Sequence, residues 1–167
     1  MNRAATLCSV TGAVTLLAAG ATLAAGSLLL ARLAILGGAL GALVLYDLQE
    51  HRIPNRIVLP ALAACIILSL AEGIHPSTGV YLGAVFVALM FTVALATPAV
   101  LGIGDVKLAL LILCALGGSA SLALLIAFEL YCVIGVALLI HRGRAALGTA
   151  LPLAPMIAAS CLITVLL

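Results

Sequence analysis

Two acidic residues stand where an almost uncharged chain has least reason to put them. Asp47 closes an apolar run and opens the strongly polar stretch "DLQEHRIPNR", and Asp105 lies in "GIGDVK", between glycines and a run of leucines. Two carboxyls that share a proton can hydrolyse an amide: one takes a proton from water while the other polarises the carbonyl. Packed closely they cannot both ionise readily, so they titrate as a unit. A peptide cut in this way must be extended, because a helical one hides its scissile carbonyl in hydrogen bonds. Gly102 and Gly104 lack Cβ atoms, and the expectation is that they let the backbone unwind and approach such a strand. Helix position then apportions the roles. Asp105, at a helix N-terminus beside Lys107, is the expected base, and Asp47, at a helix C-terminal end, is the expected holder of the proton. Taken singly, each aspartate has a plainer reading. Asp47 would be a hydrated helix end paired with Arg52, and Asp105 an N-cap with Lys107 reaching the headgroups.

The elements that must position this pair follow from composition. The chain of 167 residues is 66% hydrophobic and 7% charged, contains no Trp, and has a mean hydropathy of +1.46. About a quarter of an ordinary soluble domain is charged, and so few charges cannot cover a chain in water. The fold class is therefore all-α, a polytopic membrane bundle of about six to seven transmembrane helices, because lipid requires each segment to satisfy its own backbone. Spans are expected at 5–25, 28–48, 56–72, 79–100, 104–117, 119–140 and 149–167. The first, within residues 1–27, is read as a helix that is kept, since its apolar run exceeds a cleavable leader core. Residues 28–167 then form the functional domain. The fifth span is short for a full crossing, so it is expected either to tilt or to start inside the membrane at Gly104.

A net charge of +2 is too small to point to nucleic acid. Cys8, Cys65, Cys114, Cys132 and Cys161 are scattered with no CxxC pair and read as small hydrophobes. His75 and His141 have no companions at ligand spacing, so neither a metal nor a cofactor is expected. With the N-terminus cytoplasmic, Arg3, Arg52, Arg56, Lys107, Arg142 and Arg144 all fall on the inner side and only Arg32 falls outside. That orientation brings Asp47 and Asp105 to one depth at one face. Glu50, His51, Arg52 and Arg56 form a hydrated rim there. Pro54 and Asn55 fit a turn that starts the third span, with Asn55 as its cap. Glu129, near the middle of the sixth span, is expected to be a protonated carboxyl bonded to a neighbouring helix.

"DLQEHRIPN" from Asp47 to Asn55, followed two spans later by "GIGDVK" from Gly102 to Lys107, resembles the type IV prepilin peptidases, membrane aspartic proteases of the GxGD class. The C-terminal "LPLAPMIAA" is similar to that family's proline-containing last helix, so the resemblance covers about residues 30 to 167. It implies that Asp47 and Asp105 are the catalytic pair, with Gly102, Gly104, Lys107, Pro54 and Asn55 supporting the substrate. It also implies that the substrate is a prepilin or pseudopilin, whose basic leader is cut at the cytoplasmic face of the inner membrane, just before an apolar helix. Longer relatives carry a cysteine-paired, zinc-binding region associated with methylating the new N-terminus. That region has no counterpart here, so methyltransferase activity is not expected, and the chain is similar to the short, peptidase-only form of Flp (tight-adherence) pili. Two other classes stay open. One is a small transporter relaying ions through Asp47, Asp105 and Glu129, and the other is a structural subunit of a secretion or pilus assembly.

Overall fold

In a computed structural model, residues 27–50, 53–73, 77–97, 101–143 and 154–167 are described. They form six α-helices, α1 (Leu28–Glu50), α2 (Asn55–Glu72), α3 (Thr78–Ala96), α4 (Ile103–Leu116), α5 (Ala120–Arg142) and α6 (Ala154–Leu166), and no strand is found among them. The expected span at 5–25 lies outside the described residues. Leu28–Asp47, Asn55–Glu72, Thr78–Ala96 and Ile103–His141 are long and apolar enough to cross a membrane, and α6 is a shorter apolar helix. The stretch Ile103–His141 is two helices rather than one. The chain turns at Gly117 (φ 55°) and at the short 3-10 helix Gly117–Ser119. Large apolar side chains such as Ile67, Tyr81, Val85, Val133 and Ile140 point outward. A soluble protein does not expose them on this scale, and hydrocarbon accepts them.

One helix end differs from the expected one, and a proline explains it. α3 stops at Ala96 rather than at 100. Thr97 leaves the helix at φ −136° and returns its hydroxyl to Val93 O at 2.9 Å. The residue before a proline is disfavoured in helical conformation, and Pro98 follows Thr97. α6 is described from Ala154, with Pro155 in its first turn, where a missing N–H costs nothing, and the expected start at 149 lies outside the described residues.

The helices alternate in direction, and side-chain contacts show it. Arg32 at the start of α1 meets Ser69 and Glu72 at the end of α2, and Asn55 at the start of α2 meets Lys107 at the start of α4. Asp47 in the last turn of α1 meets Ala154 at the start of α6. The bundle therefore has an aspartate end and an arginine end. α4 is its axis: it packs against α1, α2, α3 and α5 and buries Val106, Leu108, Ala109, Leu111, Ile112 and Ala115. α6 closes the bundle against α1 and α5.

α3 is held by a close approach of backbones. A Cβ on Gly79 would lie 2.0 Å from Gly118 O, and one on Gly83 would lie 2.7 Å from Leu113 Cδ1 and 3.7 Å from Ser121 N. Gly83 thus faces α4 and α5 together, so these two helices run back from their turn as a hairpin along α3. Small residues four apart are a common device where membrane helices pack without a hydrophobic driving force. One turn further on, Phe86 and Phe128 meet edge to face, with ring centroids 6.3 Å apart. Gly79→Ala is therefore expected to cost about 1–3 kcal/mol, the range for overpacking, in denaturation measured in detergent micelles. Gly37→Ala and Gly41→Ala, where an added Cβ meets nothing within 4 Å, should leave stability unchanged.

Candidate active site

Four helices bring their ends together at the aspartate end, and each contributes for a local reason. Asp47 lies in the last turn of α1, only 6% exposed. A carboxyl so buried needs a hydrogen-bond partner, and it finds one in the backbone N–H of Ala154, which donates to Asp47 Oδ2 at 2.9 Å. That amide is free because the first amides of a helix have no partner within it. Asp105 is the third residue of α4, and its Oδ2 accepts from Gly102 N at 3.3 Å while its own N–H donates to Gly102 O at 3.1 Å. Glycine has no side chain with which to complete a capping box, so only the carboxylate half of that motif is made. Asp47 closes α1 and Asp105 opens α4, and these two ends lie together in the bundle. Acids fifty-eight positions apart thus share one end of the bundle.

The residues expected to support them are placed less uniformly. Lys107 donates from Nζ to Asn55 Oδ1 at 3.0 Å, tying the start of α2 to the start of α4. Asn55 is therefore not the cap of α2. The N-cap is Pro54, extended at φ −72° and ψ 124°, and the Asn55 side chain is directed to the lysine instead. Lys107 is half-buried in that contact, where the plainer reading had it reaching the headgroups. The glycines also differ from expectation. Gly102 is extended and exposed, but Gly104 is helical, inside the first turn of α4. Its lack of a side chain serves a close approach instead: a Cβ there would lie 3.2 Å from Ile53 Cβ, in the α1–α2 connection.

The helix-end argument for the proton also needs correction. It counted the C-terminal end of α1 at Asp47 and missed the N-terminal end of α6, whose partial charge has the opposite sign and reaches the same carboxyl. Helix ends alone therefore do not divide base from acid between the two aspartates. Glu129 is exposed on α5, and the expected bond to a neighbouring helix is not found among the described residues. Arg52 and the side chain of Glu50 lie outside the described residues. Cys65, Cys114, Cys132 and Cys161 are free thiols. Among the described residues no three His, Cys, Asp or Glu side chains group as a metal would need.

The Ala154 amide and Ile53 are the parts of this end that sequence reasoning did not find. Pro155 was the available signal for the first, because a proline in a helix marks its opening turn. The model of the type IV leader peptidase family matches residues 34–140, more than half of the chain. The chain belongs to that family. It is a membrane-embedded peptidase of the type IV leader kind, and the transporter and structural-subunit readings are set aside. No individual curated protein and no solved structure matches it. The matched stretch contains Asp47, Asn55 and the Gly102–Lys107 segment, while α6 lies beyond it. In the peptidase, Ala154→Pro removes the donor to Asp47 and sets a ring carbon against the carboxyl. It is expected to lower stability by about 1–3 kcal/mol, the cost of stranding a buried polar group, whereas Ala154→Ser keeps the N–H and should stay near wild type. Denaturation of the two variants side by side in micelles checks this.

Proposed function

We propose that the peptidase is an aspartic endopeptidase that removes the positively charged leader of type IV prepilins or pseudopilins at the cytoplasmic face of the inner membrane. One observation carries this reading: Asp47 and Asp105, remote in sequence, stand at the same end of the bundle, at the close of α1 and the opening of α4. A water held between them attacks the scissile carbonyl carbon. The ionised carboxyl takes the water's proton as the new C–O bond forms, and the protonated one gives its proton to the carbonyl oxygen. When the tetrahedral intermediate collapses, the C–N bond breaks, the departing amine collects a proton from the carboxyl that received it, and the hydroxyl formed from the carbonyl oxygen returns its proton to the other carboxylate as C=O re-forms, so that the pair again holds one proton. Gly102, exposed and extended directly ahead of α4, lies where a substrate strand would pass beside Asp105. No metal or cofactor enters this scheme.

The charges at the two ends support the orientation. Arg56 and Lys107 lie at the aspartate end, near the starts of α2 and α4. Arg32, the exception to the positive-inside pattern, is paired with Glu72 at the other end and so adds no net charge there. The aspartate end is accordingly the cytoplasmic one, and the leader approaches it from that side while the apolar helix of the substrate stays in the bilayer.

The test is cleavage of a prepilin co-expressed with the peptidase, followed as a shift to the shorter product. Asp47→Asn and Asp105→Asn can each still accept the amide bond that the aspartate accepts, so the fold should persist. Each is expected to lower cleavage by at least about a hundredfold, the scale of a lost general acid or base. Cleavage that persists near wild-type level in either variant would overturn the mechanism.

A further inference from the structure

Arg32 is the cation that the positive-inside pattern leaves on the wrong side, and it is 9% exposed in a bundle with few charges. Its guanidinium joins three helices at the end remote from the aspartates. One terminal nitrogen donates to Ser69 Oγ of α2 at 3.0 Å and to the Cys114 carbonyl of α4 at 3.2 Å, and the other pairs with Glu72 of α2. Ser69 Oγ donates to the same carbonyl at 2.7 Å. The Arg32 Nε is buried without an acceptor among the described residues, so the side chain forgoes one bond to aim its fork at α2 and α4.

The Cys114 carbonyl is one of the last four of α4, which have no partner within the helix. α4 has 14 residues, about 21 Å at 1.5 Å each, against about 30 Å of hydrocarbon. A helix that short cannot bring both ends to water, so the end away from Asp105 must be satisfied inside the protein. A cation at a helix C-terminus is favoured by the helix dipole, and the planar fork of arginine can reach a carbonyl and a carboxylate together. Arg32 therefore acts as the cap of α4, and Glu72 balances its charge.

We infer that Arg32 is a positioning residue: by capping the far end of α4 from the start of α1, it fixes the depth at which Asp105 faces Asp47. This rests on the reading of the two aspartates as the reactive pair. α1 carries both the clamp and one carboxyl, with Asp47 fifteen residues beyond Arg32, and α4 carries the capped carbonyl and the other carboxyl. Two packed rods pinned at one end keep their axial register at the other.

The test uses two readouts on protein that remains monodisperse in detergent. In the first, Asp47→Cys and Asp105→Cys are combined in a chain whose native cysteines are replaced by alanine, and a short bismaleimide joins them in membranes. Arg32→Met together with Glu72→Gln, which removes both charges and strands neither, should lower the cross-linking yield several-fold. Glu72→Gln alone keeps the bond from Arg32 to the Cys114 carbonyl and should keep most of the yield, as should Arg32→Lys. In the second readout, with both aspartates intact, the double variant should lower kcat at least about tenfold at unchanged KM, as a lost reacting geometry does. An unchanged cross-linking yield in the double variant overturns the inference whatever the activity. So does an equal loss with Glu72→Gln alone, since the ion pair rather than the cap would then be at work. Failure of the wild-type chain to cleave a prepilin would instead bring down the proposed function, and the cross-linking arm would still decide the register.

Discussion

Hydrocarbon offers no hydrogen bonds, and three charged groups of this bundle find partners in the protein at helix ends. Asp47 takes the free amide that opens α6, Asp105 takes the amide ahead of α4, and Arg32 takes a carbonyl that closes α4. Apolar side chains fill the middle, with Leu43, Leu108, Leu111 and Ile112 fully buried. Asp47, Asp105 and Arg32 are thus sorted to the two ends of the bundle, and the alternating direction of the helices decides which end each reaches. Remote acids meet because α1 ends where α4 and α6 begin.

α4 follows from the same constraint. It is the most enclosed helix and among the shortest, and both of its ends are satisfied by side chains or by its own cap. The hairpin at Gly117 and the close contact of Gly79 with Gly118 hold the opposite end of α4 against α3. The site is therefore built from the ends of rigid elements rather than from a long loop.

Much of this architecture was legible in the sequence. Apolar runs broken by polar or glycine-rich stretches placed α1, α2, α4 and α5 to within about two or three residues. The distribution of Arg and Lys gave the alternation, and with it the common end of Asp47 and Asp105. Contacts between distant segments were not legible. Periodicity reports which face is apolar, not which neighbour it meets, so the Gly79 and Gly83 pair passed unnoticed, as did the redirection of Asn55 to Lys107. Gly104 was read as a flexible link because glycine permits unwinding, yet the absence of a side chain equally permits the approach of Ile53. Arg32 was visible as an exception to the charge rule, and that exception marked the buried cluster at the arginine end. Pro98 could have set the end of α3.

The account stands on two carboxyls handling one water molecule. An experimental structure of the peptidase with a leader-spanning peptide whose scissile amide is replaced by a hydroxyl-bearing isostere tests this most directly. The account predicts that the hydroxyl, standing in for the attacking water, lies within about 2.6–3.2 Å of a carboxyl oxygen from each of Asp47 and Asp105. A hydroxyl bound to only one of them, or lodged at another part of the bundle, would contradict it.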